Sequence, residues 1–381
     1  MFYPHFYPAY RAGGITRSLS NLTRLMQPEV RCLVVTSDHD LGERQPLDGI
    51  ASDEWVSWSP NLSVWYARRG RFSAGLLNRI WQEFQPATVY LNGLYLPRFA
   101  LLPYLFFRNK PVRIVWAPRG MLQRGAVQIR HARKRVFLQV LKGLGVHRRV
   151  VWHATDQQEA KDIASYFGPD VSIQVAPNVP RWFPEAVAPI AKNPGTLHIA
   201  TWSLIAETKN LLIFIQTFKM IRGQPKIVYD VYGPIKDNAY WQACKKAMVN
   251  LPSNIRVNYL GPEPPEKLPT ILQQYHLMAL PSAGENFGHA IFEALACGRP
   301  VLISDQTPWT DLEDHGAGLI WKTSSGLDGL VQKIETAVAW ENNCFALFCQ
   351  NARAYAAAFL EHSNFKDQYL KLFGINKTSK G

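Results

Sequence analysis

One segment in the second half of the chain has the pattern of a parallel α/β unit. The apolar run 277–280 predicts a buried strand, and the Pro, Ser and Gly residues after it predict a loop. From His289 the apolar positions follow a helical period, and Gly298 stands where a C-terminal cap is expected. A second apolar run, 301–304, comes next. Strand, loop, helix and strand in this order indicate a parallel sheet with crossover helices.

Two acids in this segment carry its candidate chemistry. Glu285 lies in the loop beyond the strand's carboxyl end, where open parallel sheets bind ligands. Glu293 lies near the apolar side of the helix, where a carboxylate without a partner is costly. Between them, the backbone N–H groups of Phe287, Gly288 and His289 form a helix N-terminus suited to an anion or to sugar hydroxyls. The alternative is a surface loop acid and a helix acid that reaches solvent.

The stretch 285–293, Glu-Asn-Phe-Gly-His-Ala-Ile-Phe-Glu, resembles the Glu-x7-Glu signature of the retaining glycosyltransferases of family 4, which have the GT-B fold. The resemblance implies that Glu285 contacts hydroxyls of the donor sugar and that Glu293 contacts the nucleotide ribose. It also implies that backbone amides of the Asn-Phe-Gly stretch hold the sugar. Further segments resemble a bacterial branch of this family that builds cell-surface polysaccharides: 36–42, 117–120, 152–156, 176–178 and 232–235.

At 381 residues the chain is long for a single core, so two domains are expected. With the resemblance, we predict an α/β protein of GT-B fold, with two Rossmann-like parallel-sheet domains facing a central cleft. The predicted parts are an acceptor-side domain over 1–178, a proline-rich linker over 179–194 and a nucleotide-sugar-binding domain over 195–353. A helix over about 354–373 is expected to cross back to the first domain.

Other polar or flexible positions follow predicted strands or precede predicted helices. Arg119 follows the apolar run 112–116, and Lys209 lies in a loop that opens a helix, where an ammonium group can pair with a diphosphate. Gly13 and Gly14 suit a tight turn before a helix. The alternatives are solvated loop cations and an ordinary turn. The predicted catalytic residues are Glu285, Lys209 and Arg119, and the predicted donor-binding residues are Gly13, Gly14, Gly233, Asn286, Phe287, Gly288, His289 and Glu293.

The chain departs from the family pattern at one position. The family usually has an Arg five residues before the Lys, and both cations hold the donor diphosphate, but here Leu204 precedes Lys209. Loss of this cation removes one charge-assisted contact to the diphosphate. Arg11, Arg17 and Arg119 are the predicted substitutes, because the resemblance places their loops toward the donor.

The charge of the chain limits its partners. A net charge of +13 and a pI near 9.5 imply an acidic partner. Phosphorylated substrates and an anionic membrane surface fit, whereas the absence of nucleic-acid-binding motifs argues against nucleic acid. The basic segment 124–149 has apolar residues at 137, 140, 141 and 144, which predicts an amphipathic helix. One interpretation is that this helix contacts an anionic lipid surface or a diphosphate. The alternative is a core helix with a solvated face.

Cofactors and location follow from what the sequence lacks. The five cysteines show neither metal-ligand spacing nor a disulfide framework, so we expect reduced thiols and no metal or other cofactor. No apolar run reaches the roughly 18 residues of a membrane span, and no signal peptide opens the sequence. We therefore expect a cytoplasmic protein, with a peripheral position on the inner face of the plasma membrane as the variant.

The predicted reaction is transfer of a hexose from a nucleotide diphosphate sugar, with retention of configuration, to a glycan or polyprenyl-linked acceptor in exopolysaccharide or lipopolysaccharide synthesis. The alternative is a catalytically degenerate GT-B protein that binds a glycan or a partner. Leu204 supports the alternative, and Glu285, Glu293 and Lys209 oppose it.

Overall fold

The computed structural model describes residues 1–27, 29–122 and 131–375, which divide into two compact units. The first unit comprises Met1–Val179 and Asn364–Gly381, and the second comprises Pro180–Ser363. Both units alternate strands with helices, so the predicted α/β class with parallel sheets is confirmed. No helix among the described residues is both long enough and apolar enough to cross a membrane.

The first unit has two sheets. Their strands are β1 Cys32–Ser37, β2 Trp55–Ser59, β3 Leu62–Ala67, β4 Thr88–Asn92, β5 Arg113–Ala117, β6 Val151–Ala154 and β7 Ile173–Val175. The orders are β1-β3-β2 and β4-β5-β6-β7, and all pairs are parallel except β2 with β3. Phe2 forms parallel bridges to both Val35 of β1 and Leu91 of β4. The first residues of the chain therefore join the two sheets.

Helices cover the sheets of the first unit. They are α1 Gly14–Met26, α2 Ala74–Phe84, α3 Leu102–Phe107, α4 His131–Gly143, α5 Val146–Arg149, α6 Gln157–Phe167 and, at the end of the chain, the C-terminal helix Phe365–Phe373. Ser73 caps α2 by accepting a hydrogen bond from the backbone N–H of Leu76. Leu77 and Ile80 of α2 pack into the same buried core as Val89 and Leu91.

The second unit has one six-stranded parallel sheet. Its strands are β8 Thr196–Trp202, β9 Lys226–Tyr232, β10 Ile255–Gly261, β11 Leu277–Leu280, β12 Val301–Ser304 and β13 Gly318–Trp321. The order is β10-β9-β8-β11-β12-β13, so the direction of strand addition reverses between β8 and β11. Such a reversal is the topological switch point at which open parallel sheets bind ligands. The sheet therefore places the loops after β8 and β11 at the expected ligand site.

The helices of the second unit lie between its strands and after the last of them. They are α7 Leu211–Thr217, α8 Asn238–Met248, α9 Leu268–Leu272, α10 His289–Ala296, α11 Gly326–Ala339 and α12 Asn342–Glu361. The C-terminal helix of the first unit, Phe365–Phe373, is α13. The proline-rich stretch packs on this second unit, where Val187 N–H donates to the Cys297 carbonyl at 2.9 Å.

The prediction of one helix over about 354–373 is wrong. The chain forms two helices there, because α12 ends at Glu361 and α13 begins at Phe365. Asn364, between them, has φ −95° and ψ 58°, which is not helical. Its side-chain amide donates to Asp367 Oδ2 at 2.8 Å, and the Ser363 hydroxyl donates to a carbonyl oxygen of the preceding turn. Such side-chain bonds compete with the helical backbone pattern and favour a break.

The predicted core face of the basic helix is also partly wrong. Among residues 135–143 of α4, Leu138 and Leu141 are buried, whereas Val140 is 46% exposed and Val136 is 64% exposed. The inward face is therefore rotated from the predicted one by about one residue. Arg124 and Arg130 of the basic segment lie outside the described residues.

Candidate active site

The loops after β8 and β11 are held side by side at the switch point of the second unit. The backbone N–H of Ala283 donates to the Thr208 carbonyl at 2.8 Å. The side-chain amide of Asn210 donates to the Pro281 carbonyl at 2.9 Å. Asn210 has a left-handed φ of 54°, a conformation that Asn adopts more readily than most residues. These bonds fix the two loops next to each other.

Lys209 and Glu285 form an ion pair across these loops. The Lys209 Nζ donates to Glu285 Oε1 at 2.5 Å, and the Ser282 hydroxyl donates to the same oxygen at 2.7 Å. The side chains are 20% and 12% exposed, so both lie within reach of a ligand. The structure thus brings together two predicted catalytic residues that are 76 positions apart. Ser282 is an addition that sequence reasoning missed, although its place at a strand's carboxyl end was a usable signal.

The predicted helix N-terminus is present at α10. Gly288 is its N-cap residue, with φ 77° and ψ 59°. This positive φ is a conformation that residues with a side chain rarely adopt, so the turn favours glycine. The Phe287 carbonyl accepts a hydrogen bond from the Trp309 indole N–H at 2.6 Å, which holds the turn in place. The backbone amides predicted to bind the donor sugar therefore belong to a turn that this hydrogen bond holds.

Glu293 lies one helical turn beyond His289 on the same helix. It is 1% exposed, and every residue of α10 is buried. Burial of a carboxylate is costly unless polar groups surround it, so such a position is typical of a functional acid. Asn286 and Phe287 precede the helix in the loop that carries Glu285. The predicted donor-binding residues of this segment thus lie in one short helix and in the loop that precedes it.

The conformation of Gly233 is explained by packing between loops. It follows β9 and has φ 139°, and a Cβ there would lie 1.8 Å from the Ser203 carbonyl oxygen. Its N–H donates to the Gly261 carbonyl at 2.9 Å. Only glycine allows this close approach of two backbones. Its contact with the donor stays a prediction. Leu204, next to Ser203, is half-buried.

The glycine pair of the first unit lies at the start of α1. Gly13 is the N-cap residue with φ 84°, and Gly14 is the first residue of the helix. Nearby, the guanidinium of Arg11 pairs with the Glu43 carboxylate. Arg11, one of the predicted substitutes for the missing family Arg, therefore already has an acidic partner in its own unit.

Arg119 is buried in the first unit among neutral oxygens. It follows β5 with a left-handed φ of 59° and is 7% exposed. Its guanidinium donates to Asn92 Oδ1 at 3.0 Å and to the Tyr90 hydroxyl at 2.7 Å. It also donates to Asn178 Oδ1 at 2.5 Å and to the Ser18 hydroxyl at 3.3 Å. Arg119 thus connects the ends of β4 and β5 with α1 and with Asn178. It belongs to the first unit, whereas Glu285 belongs to the second.

His153 extends this buried network. Its Nδ1 contacts the Tyr90 hydroxyl at 2.6 Å and its Nε2 contacts the Ala176 carbonyl at 2.8 Å. Because a carbonyl oxygen only accepts, Nε2 carries the proton and Nδ1 accepts from Tyr90. Burial, followed by the charge of Arg119, lowers the pKa of His153 to about 3. The ring is therefore neutral in the folded protein at neutral pH.

Comparison with known proteins gives a family match within the second unit. Residues 184–353 match the family described as glycosyl transferases group 1. A D-inositol 3-phosphate glycosyltransferase from Nocardia farcinica is 34% identical over 92 residues, which is 24% of this chain and 18% of that protein. The match to this curated relative thus spans less than a fifth of its length.

Solved structures extend the likeness to nearly the whole chain. HepE from Anabaena, in complex with UDP and glucose, has a TM-score of 0.67 at 17% identity and covers 98% of both chains. WaaG, a glycosyltransferase involved in lipopolysaccharide biosynthesis, has a TM-score of 0.66 at 12% identity, also over 98% of both chains. At these identities the likeness establishes the fold. The predicted GT-B fold is confirmed.

Proposed function

We propose that this protein transfers a hexose from a nucleotide diphosphate sugar, with retention of configuration, to a glycan or polyprenyl-linked acceptor in cell-surface polysaccharide synthesis. The Lys209–Glu285 pair carries the proposal. It lies at the switch point of a six-stranded parallel sheet, beside the N-terminus of α10 and inside the region that matches glycosyl transferases group 1.

The pair has two groups that a sugar nucleotide requires. The Lys209 ammonium, which donates to Glu285, would also donate a charge-assisted hydrogen bond to a diphosphate bound between these loops. Glu285 would then accept hydrogen bonds from sugar hydroxyls, while Ser282 keeps its carboxylate oriented. Glu293 would bind the ribose through its buried carboxylate. HepE was solved with UDP and glucose, which supports a uridine diphosphate donor.

The proposal includes no metal and no other cofactor. The positive charge of Lys209 and the N-terminus of α10 would stabilise the developing negative charge on the leaving nucleotide. The catalytic role of Arg119 stays a prediction, and its four neutral partners favour a positioning role instead.

A transfer assay with uridine, guanosine and adenosine diphosphate sugars tests the proposal. Glu285→Gln should lower turnover about 100-fold or more, the scale of losing one preorganised charge from an active site. Glu263→Gln is the matched control, because Glu263 also pairs with a lysine, Lys267, on the same unit at 2.8 Å. The anomeric configuration of the product, read by NMR, tests retention. Equal turnover in both variants would contradict the assignment of Glu285.

The degenerate binding module is not favoured. Leu204 removes one expected cation, but the Lys209–Glu285 pair and the α10 turn are intact. If an unnatural Leu204→Arg substitution raises donor affinity strongly, the missing cation limits the natural protein. An unchanged affinity would instead indicate that another cation serves the diphosphate.

We also propose that the first unit binds the inner membrane surface through α4. Val136 and Val140 are exposed one turn apart, and the exposed Lys142 lies on the same helix. Apolar side chains beside cations suit an interface with anionic lipid. Co-sedimentation with vesicles should rise with the anionic lipid fraction and fall with salt. Equal binding of Val136→Ser/Val140→Ser and wild-type proteins would argue against this surface.

A further inference from the structure

The first unit contains a hollow of about 390 Å³ at the carboxyl ends of β1 and β3. Its lining includes four residues that are cationic or become cationic when protonated, together with one hydroxyl: His5, His39, Arg69, Arg98 and Ser37. We call it the cationic hollow. Its place at strand ends is the general ligand position of parallel sheets. None of these residues takes part in the donor site described above.

Asp38, between the lining residues Ser37 and His39, is engaged in hydrogen bonds within the protein. Asp38 is 2% exposed and accepts hydrogen bonds from the Ser52 hydroxyl at 2.7 Å and from the Arg69 backbone N–H at 2.8 Å. It also contacts His39 Nδ1 at 3.1 Å, and the Ser37 hydroxyl contacts the same nitrogen at 2.9 Å. The carboxylate therefore fixes the lining of the hollow and is not directed at a ligand.

The other two acids nearby are engaged in the same way. Asp40 is 4% exposed and accepts hydrogen bonds from the backbone N–H groups of Tyr10 at 2.8 Å, Arg11 at 3.0 Å and Leu41 at 2.7 Å. Glu43 pairs with the Arg11 guanidinium. The carboxylates of Asp38 and Asp40 thus accept from donors of neighbouring segments and Glu43 binds Arg11, so none of the three pairs with the guanidinium of Arg69 or Arg98.

Arg69 and Arg98, the two arginines of the hollow, are exposed residues. Across residues 1–27, 29–122 and 131–375, no carboxylate forms an ion pair with the guanidinium of Arg69 or Arg98. Arg69 has φ 49° and ψ 34°, a left-handed conformation that a non-glycine residue adopts at a cost. Its hydrogen bond to Asp38 maintains this conformation. Backbone strain held by neighbouring bonds is typical of ligand sites.

A second hollow of about 410 Å³ shares His39 and Arg69 with the first and adds Arg44 and Glu43, the acid that pairs with Arg11. The two hollows therefore meet at the side chains best suited to an anion. A phosphate bound at His39 and Arg69 would have one hollow on each side, with space for the groups esterified to it. Guanidinium groups bind phosphate oxygens in pairs, which gives such a site orientation as well as charge.

We propose that the cationic hollow binds a phosphate ester of the acceptor, so that the acceptor of the proposed transfer carries a phosphate group. This inference rests on the proposed function. The ester could come from a water-soluble sugar phosphate or from a lipid-linked phosphate, and the chemistry recognised by Arg69 and Arg98 is the same for both.

The test is calorimetric titration of the full chain with α-glucose 1-phosphate and, separately, with a polyprenyl phosphate in detergent micelles, both in excess UDP. Excess UDP keeps the donor site of the second unit occupied. The test variant is Arg69→Gln/Arg98→Gln. The control is Arg68→Gln/Arg79→Gln, which removes the same charge from two exposed arginines that pair with Asp53 and Glu83.

The test variant should bind phosphate ester about tenfold more weakly or worse, whereas the control should stay within about twofold of wild type. The arm that binds wild type more tightly identifies the source of the ester. Equal affinities of the test variant, the control and wild type in both arms would overturn the inference, as would a wild type that binds neither probe.

Two further measurements keep the result interpretable. Where the glutamine variant does not fold, Arg69→Lys/Arg98→Lys replaces it, and loss of paired hydrogen bonding should still weaken binding about threefold or more. Wild-type affinity in that variant would also overturn the inference. UDP titration alone tests the proposed donor separately. Absent UDP binding together with intact phosphate binding would contradict the donor and leave the cationic hollow standing.

Discussion

Arg119 of the first unit and Lys209 of the second occupy equivalent places, because each follows a parallel strand at its carboxyl end. Their surroundings differ. Arg119 is buried and donates to neutral oxygens, whereas the Lys209 side chain is 20% exposed and faces the carboxylate of Glu285. A cation bonded to carboxamide and hydroxyl groups positions the elements that carry them. A cation bonded to one accessible acid is able to exchange that acid for an anionic ligand.

The largest expected effect is the loss of stability in Arg119→Met. The substitution removes the donor to Asn92 Oδ1 and to the Tyr90 hydroxyl and leaves Asn178 Oδ1 with its bond from the Ser18 hydroxyl, so the first unit should lose about 3–5 kcal/mol of unfolding free energy. Denaturant unfolding measures this loss. Arg79→Met, on an exposed helix surface, is the control and should change stability little. Unchanged stability with lost turnover would make Arg119 a substrate-binding residue instead.

A buried glutamate in each unit sharpens the comparison. Glu293→Gln should weaken nucleotide binding by about 1–3 kcal/mol if its carboxylate holds the ribose. Glu159, also 1% exposed, accepts hydrogen bonds from Gly120 N–H at 2.6 Å and from Thr155 N–H at 2.8 Å. Glu159→Gln should therefore destabilise the first unit and leave nucleotide affinity unchanged. UDP titration and denaturant unfolding measure both effects. Weaker UDP binding in Glu159→Gln, together with unchanged UDP binding in Glu293→Gln, would contradict the assignment of the two acids.

Acid should weaken both units through one buried histidine each. Burial lowers the pKa of His153 to about 3 and that of His276 to about 4. In the unfolded chain both rings titrate near 6.5, so between pH 6.5 and the folded values the unfolded state binds more protons. Each histidine should cost about 2 kcal/mol of stability between pH 7 and pH 5.

Unfolding of His153→Gln and His276→Gln at pH 7 and pH 5 measures these contributions. Each variant should lose about 2 kcal/mol less than wild type over this interval, whatever its stability at pH 7. Equal losses in wild type and both variants would show that other groups cause the acid sensitivity.

Among these effects, the smallest is expected for the stability of Lys209→Met. Its ion pair with Glu285 is partly exposed, and such pairs contribute about 1 kcal/mol or less. The same variant should lose donor affinity, because the diphosphate loses its cation. A stability loss as large as that of Arg119→Met would break the distinction between the two cations.

Much of the second unit was predictable from sequence for a physical reason. Strands buried on both faces form continuous apolar runs, so β11 and β12 were predicted at their observed bounds. The positions of Glu285 and Lys209, near a strand end and a helix start, were predictable from the apolar pattern, and their binding roles stay predictions. Their direct contact was not predictable, since it depends on bonds between two distant loops, such as that from Ala283 to Thr208.

The first unit was harder to predict. The edge strand β2 was missed because it is short and half exposed, and it is antiparallel because only Pro60 and Asn61 join it to β3. The bonds of Arg119 to Asn92 and Asn178 span 27 and 59 residues, and no local pattern indicates them. Local periodicity indicates elements, whereas buried polar networks depend on the tertiary fold.

The helix α13 belongs to the first unit although it follows the whole second unit along the chain. The Phe373 carbonyl accepts from the Thr88 hydroxyl at 2.7 Å, the Leu372 carbonyl accepts from Arg113 Nε at 2.9 Å, and Tyr369 donates to the Pro177 carbonyl at 3.1 Å. A ribosome that has just made Ser363 has delivered every residue of the second unit, but the first unit still lacks the helix that these bonds require. The half of the protein that is translated first is therefore the half whose structure is completed last.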